Sequence, residues 1–160
     1  MAAKRLAVYP GAFDPPTLGH LDIVRRGLAV FDEVVVAVSA NSGKSHLFGV
    51  EEREALLREA TAGMEGVVVD AYEGLTVDYA RRRGACALLR GVRTMSDFDY
   101  ESHLALTNRA ISGIETVFVI AAEGYGFISS SLVREVAGLG GDVSSLVPPC
   151  VCEALKRKLT

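Results

Sequence analysis

Five short apolar runs rich in β-branched residues punctuate the chain: Leu6–Tyr9, Val34–Val38, Val67–Ala71, Cys86–Leu89 and Thr116–Ala121. Within them, apolar residues follow one another instead of alternating with polar ones. That is the pattern of strands covered on both faces. Segments of helical period lie between the runs. Leu21, Val24, Leu28 and Phe31 form one stripe at 3-4-3 spacing. Glu51–Thr61 predicts a helix that turns Leu56 and Leu57 inward. Leu75–Arg83 predicts another, closed by Gly84 just past its C-terminus. A longer helix is expected over Phe98–Ile111, a short one over Ser131–Ala137 ending at Gly138, and a last one over Val151–Leu159.

Strict alternation of strand and helix predicts a parallel sheet with helices on both faces. Right-handed crossovers leave few arrangements. The expected fold is α/β: a doubly wound, Rossmann-like, five-stranded parallel sheet in the order 3-2-1-4-5. No repeat, linker or low-complexity tract divides residues 1–160, so a single domain is expected. Ligands in such sheets bind beyond the carboxyl ends of the strands, where the strand order reverses. Here that point lies between strands 1 and 4. Four segments would meet on that rim: Pro10–His20, Asn41–His46, Arg90–Arg93 and Glu123–Ser131.

Composition narrows the partners. The 160 residues are 49% hydrophobic and 23% charged, with a formal net charge of -3. Such a chain does not bind nucleic acid through bulk positive charge, so any anion site must be local. No apolar run approaches the roughly 18–20 residues of a membrane span. The start, Met1-Ala2-Ala3-Lys4-Arg5, lacks the apolar stretch of a signal peptide. Three cysteines suggest no disulfide framework. Cys86 is expected in the core, and Cys150-x-Cys152 lacks the second Cys/His pair of a zinc site. A cytoplasmic setting is expected.

The chemistry-bearing residues cluster in the rim segments. The turn Val8–His20 is shaped by glycines and prolines and enters a helix. A helix start offers unpaired N–H groups and partial positive charge, which suits a phosphate. His20 lies off the apolar stripe beside Gly19 and would add a donor there, while Thr17 suits an N-cap. Gly43-Lys44-Ser45 resembles the tail of a P-loop, but Val38 replaces the required glycine and the next helix starts only near Glu51. Lys44 remains a candidate phosphate ligand; His46, in the same loop, reads as a solvent-exposed side chain. Arg90 and Arg93 leave a buried run and suit bidentate phosphate contact, or ion pairs with Asp97, Asp99 or Glu101. Asp97-x-Asp99 resembles the metal-binding pair of some sugar transferases. Ser96 and Asp97, however, stand where a helix N-cap belongs, and Glu101 one turn on would face the site. Ser129-Ser130-Ser131 reads as a helix cap that also cradles phosphate, with Arg134 adding charge. No histidine or Gly-x-Ser-x-Gly elbow makes one of these serines a nucleophile.

Taken together, seven segments resemble the bacterial phosphopantetheine adenylyltransferases, of the nucleotidyltransferase superfamily with the Thr/His-x-Gly-His motif. They are Tyr9–Pro15, Thr17–His20, Glu51–Arg53, Arg90–Arg93, Asp97–Glu101, Asn108-Arg109 and Phe127–Arg134, and they reach from residue 9 to residue 134 of the chain. The resemblance implies transfer of AMP from ATP to 4′-phosphopantetheine, giving dephospho-coenzyme A and pyrophosphate. It also implies Mg2+ carried on the ATP phosphates, a homohexamer, and coenzyme A as a feedback inhibitor. By motif position, ATP would contact Ala12, Phe13, His20, Gly91, Val92, Arg93, Glu101, Tyr125, Gly126, Phe127, Ile128, Ser129, Ser130 and Ser131. Phosphopantetheine would contact Ala12, Lys44, Thr76 and Arg90. His20, Lys44 and Arg93 would be the catalytic side chains.

Two positions depart from the family pattern. Ala12 stands where a threonine or serine is usual, which removes a hydroxyl donor toward a ligand phosphate. Tyr125 stands where a tryptophan is common and keeps an aromatic platform. Two other readings stay open from the residues: another nucleotidyltransferase of the superfamily (nicotinamide mononucleotide adenylyltransferase or a cytidylyltransferase), or a nucleotide-binding sensor without turnover.

Overall fold

The computed structural model describes residues 2–41 and 45–160. Five parallel strands form one sheet: β1 (Leu6–Gly11), β2 (Glu33–Ser39), β3 (Val67–Tyr72), β4 (Ala87–Val92) and β5 (Glu115–Ile120). Their order is β3-β2-β1-β4-β5, the order expected from the alternation of elements. Tyr9 of β1 lies opposite Val36 of β2, and Val8 lies opposite Leu88 of β4. The helices are α1 (Leu18–Gly27), α2 (Val50–Ala60), α3 (Thr76–Arg82), α4 (Met95–Ser112), α5 (Ser130–Gly138) and α6 (Pro149–Leu159).

Successive strand residues point to opposite faces, and this divides the core in two. Ala7, Tyr9, Val34, Val36 and Val38 pack with Ile23 and Val24 of α1 and Leu57 of α2. Val8, Val35 and Ala37 pack on the other face against Val77 and Ala80 of α3. Val34 to Val38 are all fully buried, each valine contributing roughly 1.5–3 kcal/mol of hydrophobic stabilisation. That explains the continuous apolar run. A third cluster joins Phe48 and Leu56 to Ile128, Val133, Val151 and Leu155, so α5 and α6 close over the rim beside α2.

Several expected boundaries move. The cap of α4 is neither Ser96 nor Asp97: Thr94 holds that place, its Oγ1 accepting from the Asp97 N–H at 3.1 Å. The helix therefore starts at Met95, three residues before Phe98. Strand β4 runs on through Val92, so Arg90 lies within the strand and only Arg93 lies beyond it. Cys86 is exposed rather than core; pairing of β4 begins one residue later, at Ala87. Helices α5 and α6 begin one and two residues early, the latter because Pro149 suits a first helical turn. No helix among the described residues is long and apolar enough to cross a membrane.

Candidate active site

Strand β1 leads straight into the candidate site. After Gly11 the chain turns through Ala12 and Phe13, the latter at φ 51°, then passes a cis Asp14–Pro15 bond into Thr17 and α1. Two carbonyls at this turn and at the end of β2 point to one buried cation. Arg53 of α2, 1% exposed, donates to Ala12 O at 2.8 Å, Ser39 O at 3.2 Å and Phe48 O at 3.0 Å. Burial lowers its pKa. The buried Asp14 carboxylate accepts from the Leu47 and Phe48 N–H groups, both at 2.9 Å, and so ties the β1–α1 turn to the β2–α2 loop. Arg134 of α5 donates to Asp14 O, and Ser130 Oγ donates to Pro15 O at 2.7 Å. The rim is thus fastened as one unit.

Helix α1 opens with a reciprocal cap. The His20 N–H donates to Thr17 Oγ1 at 3.3 Å, and the Thr17 N–H donates to His20 Nδ1 at 3.0 Å. A backbone N–H can only donate, so Nδ1 is the accepting, unprotonated nitrogen. The neutral ring then carries its proton on Nε2. Burial lowers the His20 pKa to about 3, and the charges of Arg90 and Arg93 push the same way. His20 is therefore a neutral donor. The Phe13 ring stands edge-on to it, with centroids 4.9 Å apart. Close approach of α1 to the sheet requires Gly91: a Cβ there would lie 2.7 Å from Ile23 Cγ1.

Two cavities open at this rim. The first, about 390 Å³, is lined by Phe13, Thr17, His20, Gly91, Arg93, Tyr125 and Ile128 through Ser131. The second, about 660 Å³, is lined by Ser39, Asn41, Tyr72, Leu75, Thr76, Leu104, Asn108 and Thr116. Both are lined by Pro10, Gly11, Ala12, His46, Arg90 and Glu101. These six residues form the junction between them.

The arginines are held rather than loose. Arg90 Nε donates to Glu101 Oε2 at 3.0 Å, its second terminal nitrogen donates to Oε1, and its first donates to Pro10 O. Burial opposes its charge, but the Glu101 hydrogen bonds and carboxylate outweigh this and raise the Arg90 pKa. Arg93 donates to Asp97 Oδ2 at 3.0 Å and to Ile128 O at 2.6 Å. Both ion pairs read from the sequence exist, and both leave the arginines on the cavity wall. At the start of α5, Ser129 Oγ accepts from the Leu132 N–H at 3.2 Å and caps the helix.

Most residues expected in the site converge. Ala12, Phe13, His20, Gly91, Arg93, Glu101, Tyr125, Ile128, Ser129, Ser130 and Ser131 line the first cavity, Thr76 lines the second, and Arg90 and Ala12 line both. Val92 is buried in β4, Phe127 is 63% exposed, and neither they nor Gly126 line a cavity. Lys44 lies outside the described residues. His46, expected in solvent, is instead half-buried at the junction. Sequence reasoning gave Arg53 no role, although its spacing to Leu56 and Leu57 marks the inward face of α2. It also passed over Thr116, whose hydroxyl oxygen is buried with no hydrogen-bond partner among the described residues.

The profile of the cytidylyltransferase-like family matches residues 8–136. A phosphopantetheine adenylyltransferase from Anaeromyxobacter dehalogenans strain 2CP-C is 55% identical over 157 residues, covering 98% of this chain and 96% of that protein. The enzyme of the same name from Anaeromyxobacter sp. strain K is 54% identical over the same shares. Among solved structures, a bifunctional NMN adenylyltransferase/ADP ribose pyrophosphatase from Francisella tularensis, complexed with AMP and a manganese ion, superposes with a TM-score of 0.72. It is 13% identical, and the match covers 97% of this chain and 49% of that one, a likeness of fold.

Proposed function

The chain belongs to the phosphopantetheine adenylyltransferases, within the cytidylyltransferase-like family, and from that premise we propose how its cleft transfers AMP from ATP to 4′-phosphopantetheine. The products are dephospho-coenzyme A and pyrophosphate. The observation that carries the proposal is the junction: two cavities meet at Arg90 and the Ala12 turn, and His20 lines the first of them. A reaction joining two phosphates needs two pockets that open on one point.

ATP takes the first cavity. The N-terminus of α5 at Ser129–Ser131 and the Arg93 guanidinium receive its phosphates, and Tyr125 and Ile128 offer apolar surface. Phosphopantetheine takes the second, its phosphate at the junction toward Arg90 and its arm along Leu75, Leu104 and Thr116; Lys44 is carried over from the family pattern as a further ligand of that phosphate.

The nucleophile needs no base. A phosphomonoester has a second pKa of about 6 and is already anionic near neutrality. The obstacle is charge: two polyanions approach, and negative charge gathers on the transferred phosphoryl group. Catalysis is therefore positioning plus electrostatic stabilisation. The Nε2–H of His20 donates to the α-phosphate oxygen as that charge develops. Because the ring is neutral, it gives up no proton and must lose none. Glu101 holds the Arg90 fork in place, and Thr17 does the same for the imidazole.

Among the described residues no three His, Cys, Asp or Glu side chains form a metal-binding group, and the lining carboxylates Asp14, Asp97 and Glu101 are already paired with arginines. Mg2+ would therefore be carried mainly by the ATP phosphates, where it would offset their charge. Assembly and regulation belong to the same proposal: a homohexamer, inhibited by coenzyme A in the second cavity, in the cytoplasm. Self-association is supported by α4, which buries only Glu101 and exposes Met95, Tyr100, Leu106 and Ile111. A single-chain mass in sedimentation would remove that part.

The test is product formation. The purified protein with ATP and 4′-phosphopantetheine yields dephospho-coenzyme A and pyrophosphate in equal amounts, and nicotinamide mononucleotide in its place yields neither. Equal turnover of both acceptors, or of neither, contradicts the proposal.

A further inference from the structure

We propose that His46 is a phosphate-binding residue of this enzyme, donating to the phosphomonoester of the acceptor at the junction of the two cavities, and that it supplies the donor which Ala12 lacks. The inference rests on the reading of the two cavities given above and adds a residue to it. Among the described residues six line both cavities, and these surround the point where the two phosphates meet. Pro10, Gly11 and Ala12 bring no side-chain donor. Glu101 is an acceptor, and Arg90 is committed in part to Glu101 and Pro10 O. His46 is the remaining side chain, and among the described residues it makes no hydrogen bond.

Its place is set by the fold. The Asp14 carboxylate pins the N–H groups of Leu47 and Phe48 at 2.9 Å, and Phe48 is 2% exposed. The residue directly before this anchor is therefore carried to the cleft, half-buried, where it lines both cavities together with Ala12. Ser39 at the end of β2 and Asn41 line only the second cavity, and Ser45 lines only the first. The acceptor's phosphate lies at the junction while the triphosphate of ATP reaches toward Arg93 and α5, so His46, which lines both cavities, meets the acceptor. A threonine or serine hydroxyl at position 12 would face the same junction. With alanine there, the imidazole fills the role.

Binding of a phosphorylated and an unphosphorylated acceptor tests this without relying on turnover. Titration calorimetry compares 4′-phosphopantetheine, pantetheine and a non-hydrolysable ATP analogue on wild type, His46→Ala, His46→Gln and the pair Ala12→Thr/His46→Ala. Loss of a hydrogen bond to a charged group weakens binding by about ten- to hundredfold. His46→Ala loses that factor for 4′-phosphopantetheine alone. His46→Gln, which keeps a donor, recovers part of it, and Ala12→Thr restores most of it in the His46→Ala background. Unchanged affinity for 4′-phosphopantetheine in His46→Ala, an equal loss for pantetheine, or a loss confined to the ATP analogue overturns the assignment. A wild-type protein that binds no 4′-phosphopantetheine at all would instead overturn the functional reading beneath it.

Discussion

At the scale of the residue, the account turns on a histidine whose charge is decided by its neighbours. Thr17 donates into His20 Nδ1, and burial with Arg90 and Arg93 nearby holds the pKa near 3. Its folded pKa lies below the unfolded value of about 6.5. Its contribution to stability is thus fully present above pH 6.5 and is lost as the pH falls from there toward 3. The same depression means that activity shows no step from His20 titration between pH 5 and 8. Replacing His20 with alanine lowers kcat by roughly 10²–10³, the loss seen on removing one donor to a developing charge, while thermal unfolding stays close to wild type. Steady-state kinetics and ring-proton NMR check both statements. A titration midpoint near pH 6.5, or a near-normal kcat, contradicts them. The Thr17-x-Gly19-His20 spacing made the residue legible from sequence. Its protonation state was not, because Arg90 and Arg93 are distant in the chain.

At the scale of the element, most of the secondary structure follows from the apolar runs, and the exceptions have local causes. Thr94, Ser96 and Asp97 offer three capping residues in four positions, and the choice among them is made by where β4 ends. Cys86 continues an apolar run in sequence, but it stands one residue before β4, with its N–H donating to Leu6 O and its side chain left exposed. Arg53 sits in the charged stretch Glu51-Glu52-Arg53-Glu54, one helical turn before Leu56 and Leu57. Only the folded chain reveals that the carbonyls of Ala12, Ser39 and Phe48 converge on it. Replacing Arg53 with methionine leaves those three carbonyls without their donor and destabilises the protein by roughly 3 kcal/mol or more. For a chain of this length that lowers Tm by about 6 °C or more. Calorimetry showing a Tm within about 1 °C of wild type would mean that water replaces the guanidinium without loss.

At the scale of the whole molecule, the sheet order and the common rim were legible because buried parallel strands leave few ways to wind. The division of the rim into two cavities was not. It depends on Asp14 drawing the β2–α2 loop across the cleft and on Arg134 and Ser130 fastening α5 to the β1–α1 turn. That is also why His46 read as a surface residue. In the proposed reading two phosphates meet at one point, with neutral and cationic donors around them and no group assigned as a base or nucleophile. One direct displacement at the α-phosphorus is the consequence. The measurement that tests this most directly uses ATP bearing sulfur in one configuration at the α-phosphorus, and reads the configuration in the dephospho-coenzyme A analogue formed with 4′-phosphopantetheine. A single in-line attack predicts inversion. Retention would require two displacements through an adenylylated enzyme, and would contradict the account.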